Sequence, residues 1–293
     1  MAHVHFVTFG DGSPQIRAAA ARLRKEALQT GIFIDASVYH LKRIRDEYPV
    51  FWKQHGNFLL AAKRGLGYFL WKPFLISAKL NEIAEDDFLV YADAGCEFMT
   101  DNRQELLDLL PTEPVYDMSV VALDSFHTNV RWTHGRCLAQ LENAEEFLQQ
   151  PMLAATFLFL RNTSRSRNLA AKWLERSVYD DYSCLADRPC DSERSEFEEH
   201  RHDQSILSLL AYGLERKGAL HIKRIGVERT LDGTAAILGM RNKTSFRRYG
   251  RSKRRWRLLS RSYNLAVKLF WNEEKYRADL YESLRNGITT GQA

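Results

Sequence analysis

The sequence predicts an α/β fold, in which a mostly parallel sheet is covered by helices on both faces. Strand-like runs alternate with helix-like segments over the first 235 residues, and this alternation is typical of parallel sheets. The chain has 293 residues, of which 45% are hydrophobic, and this is enough apolar material for a large core. We therefore expect one catalytic-size domain over residues 1–235, followed by a helical tail over residues 236–293.

The first strand and helix show how the elements are assigned. Residues 3–9 are rich in β-branched and aromatic side chains, and Gly10-Asp11-Gly12 is typical of a turn. Ser13-Pro14 then predicts a capped helix to about residue 30, because Pro is favoured at the first helical position. The other expected elements are a strand at 32–39, helical segments between 41 and 64, a helix with Pro73 in its first turn that runs to about 84, strands at 88–92, 118–123, 155–160 and 221–225, and helices at 135–148, 164–178 and 202–212.

The segment 180–199 interrupts this alternation. It is rich in Asp, Ser, Arg and Glu and has no apolar periodicity, so we expect an excursion over the surface and a candidate active-site lid. The four cysteines are Cys96, Cys137, Cys184 and Cys190. Because they have neither zinc-site spacing nor the density of a disulfide scaffold, we expect reduced thiols.

Two features of the sequence concern location. The start of the chain has no basic segment followed by an apolar one, so no secretory signal is predicted. The longest apolar runs are far below the roughly 18 residues that span a bilayer. We therefore expect a cytoplasmic protein.

The basic charge of the chain is concentrated in its tail. The net charge is +5, whereas residues 241–261 hold ten Lys or Arg and no acidic residue. From Trp256 onward, apolar residues recur at Leu259, Tyr263, Val267 and Phe270 with basic residues between them, which is typical of a basic amphipathic helix. We expect this helix to bind an anionic membrane surface at the inner face of the membrane. Packing on the domain and nucleic-acid binding are the alternatives.

Two of the most strand-like runs end in an aspartate, Asp11 and Asp93. In open α/β sheets, ligands bind beyond the carboxyl ends of the strands, so both positions are candidate site residues. The alternative is an ordinary turn or cap residue. Asp93 is the stronger candidate, because Ala94-Gly95 would let a bulky ligand approach the backbone.

Four segments stand out between residues 3 and 225, and these are Val7-Thr8-Phe9-Gly10-Asp11, Gly67-Tyr68-Phe69-Leu70-Trp71-Lys72-Pro73, Tyr91-Ala92-Asp93-Ala94-Gly95-Cys96 and His200-Arg201-His202-Asp203-Gln204-Ser205. In this consistent order they resemble a group of GT-A glycosyltransferases found in bacterial and viral surface-polysaccharide gene sets. More distantly, the group resembles the glycogenin and lipooligosaccharide galactosyltransferase class. The resemblance implies a GT-A, Rossmann-like domain that moves a hexose from a nucleotide diphosphate sugar, above all a UDP-sugar, to a glycan or lipid-linked glycan acceptor.

The resemblance also implies a donor site. The implied donor-binding residues are Thr8, Phe9, Gly10 and Asp11 for the nucleoside, Lys72 for a phosphate, and Asp93, Ala94 and Gly95 at the place of the DXD motif. Carboxylates of that motif bind a divalent cation, so Asp93 is the expected metal ligand and Mn²⁺ or Mg²⁺ the expected cofactor. Gly95 departs from the motif at its second carboxylate position. The alternatives are that Glu97 assists Asp93, or that cationic side chains replace the metal.

Catalytic and acceptor residues follow from the same resemblance. Asp203 and Gln204 match an Asp-Gln pair that lies against the donor sugar in the retaining enzymes of the distant class, so they are the expected catalytic residues. The alternative for Asp203 is a helix cap. Trp132 matches a Trp-Thr-Lys-like element near the donor or acceptor sugar, in which His134 replaces the usual lysine. Both residues are expected to bind the acceptor, and a core tryptophan is the alternative for Trp132.

Two other functions are considered. A sugar nucleotidyltransferase also uses a nucleotide-binding α/β sheet, but it would carry a Gly-rich loop with Lys or Arg after the first strand. The turn at residues 9–13 has no such cation. The second rival is a non-catalytic nucleotide or nucleic-acid binding module with a basic arm, which would show no turnover.

Overall fold

The computed structural model describes residues 2–62, 64–99, 101–188, 190, 193–226, 235–248 and 253–270. The strands in these ranges are β1 (Val4–Phe9), β2 (Asp35–Tyr39), β3 (Phe88–Ala92), β4 (Glu97–Phe98), β5 (Met118–Val121), β6 (Phe157–Arg161), β7 (Ile222–Ile225) and β8 (Ile237–Leu238). Six of them form one sheet in the order β2-β1-β3-β6-β5-β7, and β4 pairs with β8 in a small second sheet. Within the large sheet only β6 runs antiparallel to its neighbours. The predicted mostly parallel sheet is confirmed.

Helices cover both faces of the large sheet. They are α1 (Pro14–Gln29), α2 (Leu41–Glu47), α3 (Pro49–Ala61), α4 (Gly65–Tyr68), α5 (Trp71–Glu82), α6 (Arg103–Leu109), α7 (Asn129–Trp132), α8 (Gly135–Gln140), α9 (Ser164–Tyr182), α10 (Asp203–Arg216) and α11 (Lys253–Phe270). Alternate residues of β3 enter two separate cores. Leu89 packs in the core that contains Trp173 of α9, and Val90 in the core that contains Leu23 of α1. This alternation is the period-two pattern of a strand buried on both sides.

Local capping explains where two of the main helices begin. Ser13 is the N-cap of α1, and its hydroxyl accepts a hydrogen bond from the Ile16 amide at 3.2 Å. Thr163 and Ser166 form a reciprocal capping box at the start of α9. Side-chain caps of this kind satisfy amides that have no partner within the helix.

The predicted helix over residues 135–148 is interrupted. α8 ends at Gln140, and a short 3-10 helix follows at Ala144–Phe147. The interruption is local, since Leu141 is extended with ψ of 123° and Asn143 is left-handed with φ of 58°, and neither conformation continues a right-handed helix.

The segment 180–199 does not lie wholly on the surface. Cys184, Leu185 and Ala186 are buried, and Cys184 forms a disulfide with Cys137 of α8. The expectation of reduced thiols is therefore wrong for these two cysteines. They are 47 residues apart in the sequence, and only the packing of this segment against α8 brings them together.

Residues 235–248 pack against the sheet domain, although the sequence assigned nearly all of them to the tail. β8 pairs with β4, and the buried side-chain amide of Asn242 donates a 2.6 Å hydrogen bond to the Glu97 carboxylate. The Arg22 side chain of α1 also donates to the Thr244 carbonyl at 3.1 Å. The packed part of the described chain therefore extends from the sheet domain to residue 248, beyond the predicted boundary at 235.

In the described part of the basic tail, residues Lys253–Phe270 form the helix α11. Leu258 and Leu265 are 58% and 59% exposed, and Arg257 and Arg261 are exposed on the same helix. The expected apolar side chains of Trp256, Val267 and Phe270 lie outside the described side chains. Among the helices that the structure describes, none is both long and apolar enough to span a bilayer.

Candidate active site

A cavity of about 220 Å³ lies where β3 ends, beside the start of α10. Five of the predicted site residues line it, and these are Lys72, Asp93, Gly95, Asp203 and Gln204. They come from three separate segments of the chain. The sequence therefore identified a group of residues that the fold brings into contact.

The centre of the cavity is a buried ammonium between two carboxylates. Lys72 Nζ lies 3.2 Å from Asp93 Oδ1 and 3.0 Å from Asp203 Oδ2. It also donates to the Ala155 carbonyl at 3.1 Å. Lys72 and Asp203 are buried, whereas the Asp93 side chain is 41% exposed and faces the opening. Three oxygens thus lie within 3.2 Å of the one ammonium.

Burial and charge oppose each other in this cluster. Burial raises the pKa of Asp203 to about 6, although the Lys72 ammonium acts to lower it. Burial alone would lower the pKa of Lys72, but the carboxylates of Asp203 and Asp93 outweigh that effect and raise it. Lys72 is therefore charged at neutral pH, and Asp203 is ionised there at an energetic cost that the lysine reduces.

Tyr91 supports Asp93 from within β3. Its hydroxyl donates to Asp93 Oδ1, and burial raises the pKa of Tyr91 well above its ordinary value. The tyrosine therefore remains a neutral donor. Together with Lys72, it fixes one oxygen of the Asp93 carboxylate at the end of the strand.

Asp203 is not the cap of its helix. The N-cap of α10 is His202, which makes no side-chain capping hydrogen bond and has φ of 52°. Asp203 is the first helical residue, and its carboxylate is directed to Lys72. This geometry favours a site role for Asp203 over the capping interpretation.

The described residues do not fit a divalent cation at Asp93. They contain no cluster of three His, Cys, Asp or Glu side chains that could hold a metal. The Lys72 ammonium already lies between the two carboxylates of the cavity. A Cβ added to Gly95 would lie 3.0 Å from the Arg241 Cα, which is a tight contact, so backbone crowds the place where a second carboxylate of the motif would start. Glu97 is fully buried and binds Asn242, so it does not assist Asp93.

The residues predicted at the end of β1 lie outside the lining of this cavity. Thr8 is buried and its hydroxyl donates to the Ala92 carbonyl at 2.7 Å, while Phe9 stacks on Trp71 with 3.9 Å between ring centres. Asp11 is buried, and its carboxylate accepts from the Leu41 amide at 2.9 Å.

Gly10 and Ala94 also lie outside the cavity lining. A Cβ on Gly10 would meet Ala20 of α1 at 2.3 Å, so this glycine permits close packing of the helix on the strand. Ala94 packs beside the same helix, against Ala19 and Ala20. These observations show structural contacts, and the donor roles remain predictions.

The two predicted acceptor residues are buried beside the cavity rather than in its lining. Trp132 stacks beneath the Arg201 guanidinium, which lies 4.1 Å from its ring centre. His134 is the N-cap of α8, where Nδ1 accepts from the Cys137 amide at 2.9 Å and Nε2 lies 3.1 Å from the Ala186 carbonyl. Both side chains are fixed by structural contacts, and acceptor binding remains a prediction for them.

The cavity lining also includes five polar side chains that are not among the predicted site residues, and these five are Arg64, Thr156, Arg201, His202 and Arg241. Arg201 and His202 lie inside the motif that contains the Asp-Gln pair, which is the part of that motif that predicted a site. Arg241 belongs to the basic run, which was interpreted only as a tail. His202 is 1% exposed, and its Nε2 has no hydrogen-bond partner among the described residues.

Several solved structures are similar to this chain at low sequence identity. Mouse xyloside xylosyltransferase 1, in its apo form, is 14% identical with a TM-score of 0.39, and the match covers 76% of this chain and 84% of that chain. A glycosyltransferase involved in glycosylation of the major capsid of PBCV-1 is 6% identical with a TM-score of 0.36, covering 68% and 81%. A putative glucose-1-phosphate thymidylyltransferase from Bacillus anthracis, in complex with a sucrose, is 10% identical with a TM-score of 0.34, covering 76% and 87%. No protein-family model and no curated protein matches the chain. At these identities and scores, none of the matches identifies a substrate.

Proposed function

We propose that the protein is a glycosyltransferase that moves a hexose from a nucleotide diphosphate sugar to a glycan or lipid-linked glycan acceptor. The observation that carries the proposal is the buried Lys72 between Asp93 and Asp203 in a cavity at the carboxyl end of β3. Ligands of open α/β sheets bind at this edge. Surface polysaccharide assembly is the pathway that the sequence resemblance supports.

The side chains of the cavity have the chemistry that such a transfer requires. The bond between the anomeric carbon and a diphosphate oxygen breaks, and its electrons leave with the diphosphate. A new bond forms to the acceptor hydroxyl, which loses its proton. Positive charge grows on the sugar during this step, and the Asp203 carboxylate, ionised above its pKa of about 6, would stabilise it. Gln204, the next residue, lines the same cavity and would bind a sugar hydroxyl.

An unpartnered buried nitrogen also supports a ligand in this cavity. His202 Nδ1 lies 2.9 Å from the Leu185 carbonyl, whereas Nε2 has no partner among the described residues and its ring lines the cavity. Burial lowers the pKa of His202 to about 4, so the ring is neutral at pH 7. A buried polar atom without a partner is costly, and a hydroxyl of the bound sugar would satisfy it.

Association with an anionic membrane surface at its cytoplasmic face is part of the same proposal. α11 exposes Leu258 and Leu265 together with Arg257 and Arg261. Apolar and cationic side chains on one exposed helix favour binding to an anionic interface. This surface would hold the enzyme beside a lipid-linked acceptor.

A panel of nucleotide sugars tests the proposed activity. The full chain is incubated with each donor, and release of the nucleoside diphosphate is measured with and without added glycan acceptors. We expect turnover with at least one donor and an activity loss of at least about 100-fold in Asp93→Asn, which removes charge but retains shape. The matched control is Asp124→Asn, at a carboxylate that is 69% exposed and outside the cavity. Absence of turnover with every donor, or wild-type activity in Asp93→Asn, would refute the assignment.

A further inference from the structure

The cavity contains more positive than negative side chains. Its lining includes the four cationic residues Arg64, Lys72, Arg201 and Arg241 and the two acidic residues Asp93 and Asp203. Carboxylates outside the lining pair with two of these arginines, Arg64 and Arg201. Arg241 and these shared guanidinium groups are the cations that the lining offers to a diphosphate. Guanidinium groups are well suited to this task because they bind phosphate oxygens in a bidentate manner.

The position that a divalent cation would use is already taken. Mg²⁺ requires oxygen ligands at roughly 2.0–2.1 Å and several of them at once. Here the Lys72 ammonium lies about equally far from one oxygen of Asp93 and one of Asp203, at 3.2 and 3.0 Å. It is held there by the Ala155 carbonyl and by burial, with 4% of the side chain exposed. A second cation at this point would be repelled by the first.

The backbone around Gly95 brings an arginine into the same cavity. The backbone N–H of Asn242 donates to the Gly95 carbonyl at 2.9 Å. This hydrogen bond holds the segment 239–242 across the loop after β3. Arg241 has φ of 49°, a conformation that is strained for any residue with a side chain and tends to occur at functional sites. The segment that crowds Gly95 is thus the segment that supplies the guanidinium.

The arginines of the cavity repel one another in the absence of an anion. Arg64 and Arg201 share the carboxylate of Glu199, at 2.7 and 3.4 Å. Burial lowers the pKa of Arg201, and although Glu199 acts to raise it, the charges of Arg64 and Arg241 lower it further. A bound anion would relieve this repulsion.

We propose that the cavity binds the diphosphate of its donor without a divalent cation, with Lys72 held between Asp93 and Asp203 and Arg241 contacting the phosphates. This inference rests on the proposed function, since it concerns the donor of that reaction. Lys72 positions the two carboxylates and supplies the fixed positive charge, while Arg241, with Arg201 beside it, stabilises the charge on the leaving diphosphate.

Calorimetric titration of the full chain with UDP, GDP, ADP, CDP and dTDP tests the inference. Each titration is run in EDTA and again in Mn²⁺. We expect at least one diphosphate to bind in EDTA with a Kd within about threefold of its value in Mn²⁺. Binding in Mn²⁺ but not in EDTA would overturn the metal-free site and leave the proposed transferase standing. Failure of all five diphosphates in both conditions would overturn the proposed function itself.

Two variants test the contribution of Arg241 to diphosphate binding. Arg241→Gln removes the positive charge, while the left-handed backbone at this position still has to accommodate a side chain. We expect the variant to weaken diphosphate binding in EDTA at least about tenfold. Lys243→Gln is the matched control, because it removes one positive charge from an exposed side chain two positions along the same segment and should change the Kd less than about twofold. An equal loss in both variants would indicate general attraction to a basic segment and would overturn the specific role of Arg241.

Discussion

Asp203→Asn separates the functional role of the buried carboxylate from its effect on stability. The ionised form of Asp203 is costly, because its pKa rises from 3.8 to about 6 on folding. A group whose pKa is raised in the folded state stabilises the fold below the unfolded pKa and loses that contribution as the pH rises through the folded pKa. At pH 7 the cost is about 3 kcal/mol, since one pKa unit corresponds to about 1.36 kcal/mol. Asparagine retains the shape and removes this cost.

The attraction to Lys72 is already included in this cost, because the ammonium acts to lower the pKa of Asp203. Breaking a buried ion pair by removing one partner usually costs about 3–5 kcal/mol, because the other charge is left without compensation. Lys72 keeps Asp93 at 3.2 Å and the Ala155 carbonyl at 3.1 Å, so its charge stays compensated in the variant. We therefore expect the free energy of unfolding at pH 7 to rise by up to about 3 kcal/mol.

The assay combines urea unfolding at pH 7 with single-donor kinetics. We expect kcat to fall at least about 100-fold, because the carboxylate acts on charge that develops in the transition state. Near-normal kcat together with a large loss of stability would refute the reasoning and restore the capping interpretation of Asp203. If kcat and the free energy of unfolding are both near normal, the carboxylate is needed neither for catalysis nor for stability.

Two further predictions concern buried charge. Burial lowers the pKa of His202 to about 4 and that of His200 well below its ordinary value. The stability that these histidines contribute is therefore present above pH 6.5 and is lost as the pH falls towards 4. In the Asp203→Asn variant, which lacks the opposing carboxylate, His202 alone should lower the free energy of unfolding by about 2 kcal/mol between pH 7 and pH 5, and His200 should add to this loss. Urea unfolding measures the sum, and a flat pH profile would contradict the prediction. Arg22→Met should destabilise the fold by about 3 kcal/mol, because it removes the buried cation that lies 2.9 Å from the Glu26 carboxylate and donates to the Cys96 carbonyl. Lys42→Met at an exposed ion pair should cost less than about 1 kcal/mol in the same unfolding assay.

The sequence predicted an element correctly where the residues of one short segment determine its secondary structure. The run at Phe88–Ala92 is a strand with the predicted bounds, because β-branched and aromatic residues between turn residues favour that state whatever surrounds them. Ser13-Pro14 starts α1 as predicted, since a cap depends only on the next few residues. The sequence resemblance also named five of the residues that line the cavity.

Partners that are distant in the chain were decided only by the tertiary structure. The sequence alone determined that Lys72, Asp93 and Asp203 are notable residues in an α/β chain, but not that one ammonium would lie between both carboxylates. The sequence also assigned Arg241 to a tail. In the structure, β8 pairs with β4, and the segment that follows β8 lies against Gly95 and places Arg241 in the cavity lining. The physical reason is that strand and helix preferences are set by neighbouring residues, while contacts across a sheet edge depend on how the whole chain buries its apolar surface.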